Sequence, residues 1–261
     1  MSGPTGVVTG AGSGIGAAAA VALAPAGGTT VLVGRRADAL ERTAHAVRAS
    51  GGEAVVLPLD VTADDAGDRA VAAARTATGR LDVVVSAAGA YRPGAFGTLT
   101  AAHVREVTAL HHLAPLLLAD AAVRAFRSAG RPGRIVHVSS ITGLVSRGGF
   151  TAYEAAKAAL IAGARSAAVE LAAESVPVNT VAPGWIRSEM TAELLATAPA
   201  GALGAFVPAG RPGEAAEIAE VVRWVALDAP AFLTGQTIAV DGGQSVRTGA
   251  LTVPPPGEDL P

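Results

Sequence analysis

The sequence contains no cysteine. Disulfides, iron–sulfur clusters and thiolate zinc sites are therefore excluded. Aromatic residues make up only 3% of the chain, and the two tyrosines are Tyr91 and Tyr153. Lysine is scarcer still: of 20 basic residues one is lysine, Lys157, and the others are arginine. His45, His103, His111, His112 and His137 show no HExxH-like spacing, so no metal site is expected. No apolar run of about 18 residues offers a membrane span. The start, MSGPTGVVTG, has neither a basic stretch nor a long apolar one, so no signal peptide is expected. A net charge of −2 and a pI of about 6.2 give no electrostatic footprint for nucleic acid. These absences leave a soluble, cytoplasmic protein with no nucleic-acid and no membrane partner as the expectation.

Half of the 261 residues are hydrophobic, enough for one large α/β core. Short β-branched runs alternate with alanine-rich stretches. The runs are Gly6–Thr9, Thr30–Val33, Ala54–Leu57, Asp82–Val85, Arg134–Val138, Val176–Val181 and Thr237–Val240. Each is nearly continuously apolar, as strands covered on both faces are. Segments such as Gly14–Ala24, Ala37–Ala49 and Ala63–Thr78 read as helices. The alternation predicts right-handed crossovers and a parallel sheet of about seven strands in one doubly wound α/β domain, residues 1–246. Residues 247–261 are rich in proline and glycine and read as a loose tail.

The first run leads into Gly10, Gly12, Ser13, Gly14, Ile15 and Gly16, followed by a helix. Glycines at a strand-to-helix turn let the backbone approach a pyrophosphate, and free N–H groups at the helix N-terminus attract its charge. The reading is a dinucleotide site of Rossmann type. The second run ends in Gly34-Arg35-Arg36 rather than in a carboxylate. Arg35 and Arg36 suit the 2′-phosphate of NADP, so NADP is favoured over NAD.

Ser140 follows the fifth run, and Tyr153 and Lys157 stand 13 and 17 residues further on. A spacing of four puts Tyr153 and Lys157 on one helix face. A charge about 4 Å from a phenol is worth roughly 4 kcal/mol at an effective dielectric of 20. That would lower the phenol pKa by about two to three units and make Tyr153 a general acid or base. Ser140 would hold the substrate oxygen. That the single lysine falls here supports the pairing, because arginine spreads its charge over a bulky fork.

With TGAGSGIG, Ser140 and Tyr153-x-x-x-Lys157, the chain resembles the short-chain dehydrogenase/reductase family over about residues 4–246. The resemblance implies hydride transfer between nicotinamide and a carbonyl or alcohol, and a homotetramer or homodimer. It implies cofactor contacts at Asp60, Val61, Ala88, Gly89, Pro183, Gly184, Ile186, Ser188, Tyr153 and Lys157. Asp60 can also be read as a local cap with Thr62.

Three departures from the family pattern stand out. Ser86 replaces the first asparagine of Asn-Asn-Ala-Gly, which is expected to loosen the central strands. His111 stands where the family has a catalytic asparagine that holds a relay water, and is expected to titrate near neutrality. Ser188 replaces a threonine.

Substrate walls are expected from Tyr91, Leu144, Val145, Phe150, Trp185 and a lid-like segment, residues 186–208. Arg92, Arg147 and Arg187 lie near the expected mouth. Three functions remain open: a ketone or alcohol oxidoreductase, a β-ketoacyl carrier-protein reductase, and a non-catalytic dinucleotide-binding sensor or scaffold.

Overall fold

The computed structural model describes residues 3–90, 92–188 and 207–247. The seven expected strands are all present: β1 (Thr5–Thr9), β2 (Thr29–Gly34), β3 (Glu53–Pro58), β4 (Val83–Ser86), β5 (Arg134–Val138), β6 (Val178–Pro183) and, late in the chain, Thr237–Val240. They form one parallel sheet in the order β3-β2-β1-β4-β5-β6 and then Thr237–Val240. Every residue of β1, β4 and β6 is buried, which is why these strands read as nearly continuous apolar runs.

Helices cover both faces. On one side α3 (Ala66–Thr78) and α5 (Ala114–Ala129) pack through Ala70, Ala74, Leu118, Ala122 and Phe126. On the other, α1 (Gly14–Leu23) and α2 (Ala37–Ala49) lie with α7 (Ala215–Arg223) over Val8, Leu32, Val85 and Val136, with Ile218 a buried residue of α7. The long α6 (Thr151–Leu171) joins the first side through Ala164, Ala168 and Leu171, and α4 (Ala101–Thr108) packs on α6 through Val107 against Ala152 and Ala156. A second pairing joins two short strands, β7 (Ile186–Arg187) and β8 (Gly213–Glu214). The strand Thr237–Val240 is therefore β9.

Chain order reverses between β1 and β4, so their C-terminal ends open a crevice at the switch point. Two hydrogen bonds set its floor: Thr9 Oγ1 accepts from Ala87 N at 3.1 Å and from Ala88 N at 3.2 Å. The loosening expected from Ser86 does not occur in the backbone, since Ser86 stays in register with Thr9 and with His137.

Candidate active site

A cleft of about 850 Å³ lies over the C-terminal ends of the strands. Each residue assigned a cofactor or catalytic place from the sequence lines it, from Gly10 through Arg35, Asp60, Gly89 and Ser140 to Ser188. The cradle is shaped by backbone. Gly10 has φ +69°, and a Cβ there would lie 2.7 Å from Ala87 O and 2.8 Å from Ala88 N. A Cβ on Gly16 would lie 2.3 Å from Gly10 O. Both approaches are to main chain, so no side chain can yield, and only glycine fits. Ser13 begins α1 in extended conformation, and the first turn of the helix carries no acidic residue to take its free N–H groups. Ser188 lies across the loop, its Cβ 4.0 Å from where a Cβ of Gly14 would be. A nicotinamide dinucleotide fits this set: space only glycine leaves, open N–H donors for a pyrophosphate, and two arginines beside it.

Arg36 caps the edge of the cradle, its Nη2 donating to Ser13 Oγ at 3.4 Å. The strand ahead of it ends in Gly34, and the nearest acid, Asp38, pairs with Arg42 in α2. Asp60 forms the local turn with Thr62, accepting from Thr62 N at 2.9 Å and Thr62 Oγ1 at 2.8 Å. Those hydrogen bonds hold its carboxyl below the usual range, and the Arg35 charge adds to the effect. The same turn delays α3, which starts at Ala66 rather than Ala63.

On the other half of the cleft, Ser140 caps the short turn Ile141–Gly143. Its Oγ accepts from Thr142 N at 3.2 Å and Thr142 Oγ1 at 3.0 Å. Both partners act as donors, which leaves the serine proton for a third group. Lys157 is buried, with Nζ donating to Val138 O at 3.0 Å and standing 5.7 Å from the Tyr153 ring centre. Ser139 Oγ donates to Lys157 O at 3.0 Å and ties the end of β5 to α6.

The sequence-based expectation for the phenol is reversed in the protein alone. Burial pushes the Tyr153 pKa up, and the Ser140 hydroxyl and the Arg147 charge only partly oppose it. Lys157 does not offset the burial, because its ammonium is directed at Val138 O and is itself pushed down to about 8 by desolvation.

His111 is a second correction. It lies in a π-helical turn, Ala109–Leu113, between α4 and α5. Pro115 follows at the start of α5 and lacks the N–H a regular helix would use. His111 is 1% exposed, and its ring meets Tyr153 edge-on at 4.9 Å. Desolvation, helped by the Lys157 charge, lowers its pKa to about 3, so it is neutral across physiological pH. Nε2 lies 3.1 Å from Ala90 O, a group that can only accept, so Nε2 carries the proton and Nδ1 a lone pair. Among the described residues, Nδ1 and the buried Ser86 Oγ have no hydrogen-bond partner. Both residues line, with Lys157, a cavity of about 20 Å³, room for one water.

Of the expected substrate walls, Val145, Phe150, Trp185 and Ile186 line the cleft, and Leu144 does not. Tyr91 and residues 189–206 of the expected lid lie outside the described residues, as do residues 248–261 of the expected tail. Sequence reading passed over Thr9, Ser139 and Thr142. Thr9 carried a signal as the residue that opens the glycine loop.

Residues 10–245 match the family model described as Enoyl-(Acyl carrier protein) reductase. A cis-4-hydroxycyclohexanecarboxylate dehydrogenase from Sinomonas cyclohexanicum is 40% identical over 238 residues, 91% of this chain and 94% of that protein. The structure of a 3-oxoacyl-[acyl-carrier protein] reductase from Brucella melitensis in complex with NAD superposes with a TM-score of 0.89 at 30% identity, covering 95% of this chain and 99% of that one. A structure from Agrobacterium tumefaciens with bound NADP gives a TM-score of 0.87 at 30% identity, covering 95% of this chain and 98% of that one. Fold, cleft and relatives together define the class, a nicotinamide-dependent oxidoreductase of Rossmann type. Within that class the chain belongs to the short-chain dehydrogenase/reductase family. Among the described residues no helix is long and apolar enough to cross a membrane.

Proposed function

We propose that this enzyme is an NADP-preferring ketoreductase or alcohol dehydrogenase in which Tyr153 is the general acid or base. The observation that carries the proposal is the convergence of Ser140, Tyr153 and Lys157 in one cleft with a glycine cradle. The bound dinucleotide would supply hydride to a carbonyl carbon or accept it from an alcohol. Gly10, Gly12, Ser13, Gly14, Ile15 and Gly16 would hold its pyrophosphate. Asp60, Val61, Ala88 and Gly89 would flank its adenosine half, and Pro183, Gly184, Ile186 and Ser188 its nicotinamide half. Arg35 and Arg36 at the end of β2 support the preference for NADP, because no carboxylate stands there to take a free ribose hydroxyl pair.

Ser140, whose proton the two Thr142 donors leave available, would hold the substrate oxygen, which places that oxygen beside the phenol. In reduction Tyr153 donates its proton to the oxygen as the alcohol forms. The raised phenol pKa keeps this donor protonated at neutral pH, so reduction is favoured there and oxidation gains as pH rises. Lys157, held by Val138 O with its ammonium 5.7 Å from the ring centre, would pass the replacing proton toward the phenolate left behind. A water in the cavity shared by Ser86, His111 and Lys157 would return a proton through the ammonium, with neutral His111 accepting a hydrogen bond at Nδ1. His111 thus acts by positioning.

The 3-oxoacyl-[acyl-carrier protein] reductase among the similar structures keeps a carrier-bound β-ketoacyl substrate as a second reading. A cytoplasmic homotetramer or homodimer is the assembly expected of the family. The test is turnover on a panel of ketones and alcohols with each cofactor. The expected outcome is a preference for NADPH over NADH of tenfold or more, lost in Arg35→Ala/Arg36→Ala. Tyr153→Phe is expected to lower kcat by about 10²–10⁴. Full turnover in Tyr153→Phe would refute the mechanism, and absence of turnover with retained cofactor binding would favour the sensor reading.

A further inference from the structure

Of the three arginines expected at the cleft mouth, Arg92 and Arg147 line the cleft and Arg187 does not, and their partners differ. Arg92 Nε donates to Glu106 Oε1 at 2.9 Å, and Arg187 Nε to Glu214 Oε1 at 3.0 Å. Both charges are met by protein carboxylates. The Arg147 guanidinium has no carboxylate within ion-pairing distance among the described residues. It lies instead over the Phe150 ring at 4.5 Å and the Trp185 ring at 4.8 Å. In a chain with 3% aromatic residues, two of them bracket this one cation.

The loop holding Arg147 is fixed from both sides. Arg147 N donates to Glu154 Oε1 at 3.1 Å, and Ser146 Oγ donates to Glu154 Oε2. That carboxylate is therefore engaged with the loop backbone and with Ser146. Gly148 and Gly149 follow with φ +77° at each, a bend only glycine makes cheaply. Stacking on ring faces holds a guanidinium plane while leaving its in-plane N–H donors open. Arg147 lines the cleft that contains Tyr153, and its charge acts on the phenol.

We propose that Arg147 is the anion-recognition residue of the substrate site, and that the substrate carries a carboxylate away from its reacting carbon. This inference rests on the oxidoreductase reading of the cleft, and it names the substrate class. A planar fork matches a carboxylate with two parallel hydrogen bonds, and such charge-assisted pairs are about twice as strong as neutral ones. Phe150, Trp185 and Val145 supply an apolar wall for the carbon frame.

The test is binding rather than turnover. Cyclohexanecarboxylate and cyclohexanecarboxamide, matched in size and unable to react, are titrated into the NADP-loaded protein by calorimetry. The carboxylate is expected to bind about 10- to 100-fold tighter, the range of one charged hydrogen-bonding pair. In Arg147→Gln the ratio is expected to fall to near one, and in Arg147→Lys to be partly restored. Arg165→Gln, on the outer face of α6, is the control for general charge and should keep the ratio. Equal binding of acid and amide by the native protein overturns the proposal, as does a ratio that survives Arg147→Gln. Tighter binding of phosphopantetheine than of the carboxylate overturns it too, and moves the anion to a carrier-arm phosphate. A ketone panel run in parallel separates the two readings. Selective binding without turnover keeps the anion site and removes the activity; turnover without selectivity does the reverse.

Discussion

The cleft has two halves built in different ways. The half over β1, β2 and β3 is made of backbone, with Gly10 and Gly16 admitting no Cβ and α1 offering bare N–H groups. The half over β4, β5 and β6 is made of side chains: Ser140, Tyr153, Lys157, His111 and Arg147. The departures from the family pattern at Ser86 and His111 both fall in the second half. A backbone-built site has few ways to change, since a single methyl meets main chain. A side-chain-built site can exchange one hydrogen-bonding group for another and keep its shape.

The largest expected effect breaks the side-chain half. Lys157→Met removes the ammonium that stands 5.7 Å from the Tyr153 ring centre and leaves Val138 O without that donor. Turnover is expected to fall by about 10²- to 10⁴-fold, as for loss of a proton-transfer group, with cofactor binding measured separately by NADPH fluorescence. Loss of binding alone, with turnover kept at saturating cofactor, would contradict the assignment. Next, Gly10→Ala attacks the backbone half. A methyl 2.7 Å from Ala87 O at φ +69° is expected to weaken NADPH binding tenfold or more. It should also destabilise the fold by about 1–3 kcal/mol, the usual range for overpacking. A native dissociation constant would show that the loop can shift.

A smaller effect concerns acid. Desolvation, helped by the Lys157 charge, lowers His111 to about 3 and the fully buried His137 to about 4. Their folded values lie below the unfolded value of about 6.5. The stability they carry is whole above pH 6.5 and is lost as pH falls toward the folded values, at up to about 1.4 kcal/mol per unit for each group. Melting temperature should fall steadily from pH 6.5 to 4.5, and His137→Leu should flatten the fall. An equal slope in the variant would assign the acid sensitivity elsewhere.

Strand positions were legible in the sequence because a parallel strand buried on both faces leaves a nearly continuous apolar run; Val83–Ser86 and Arg134–Val138 are examples. Asp82 was read into β4, but it precedes the strand, where Oδ2 accepts from Thr5 N at 2.8 Å. The cradle was legible because its constraint is local: glycines at a strand-to-helix turn. The environment of a titratable group was not. Nothing near His111 in sequence tells of the π turn, the Ala90 carbonyl 21 residues away, or the burial that keeps it neutral. The arginines at the mouth looked alike, because the carboxylates that pair Arg92 and Arg187 are 14 and 27 residues distant.

The most direct measurement is the pH profile of kcat/KM for ketone reduction by NADPH, from pH 5.5 to 10, in the native enzyme and in His111→Asn. The account places the proton on a phenol held protonated by burial, beside a lysine near 8, with histidine neutral throughout. Reduction should therefore be flat from pH 5.5 to about 7.5 and decline above 8, with the same limbs in His111→Asn. A rising limb near pH 6.5 that disappears in His111→Asn would show a titrating histidine and contradict the account.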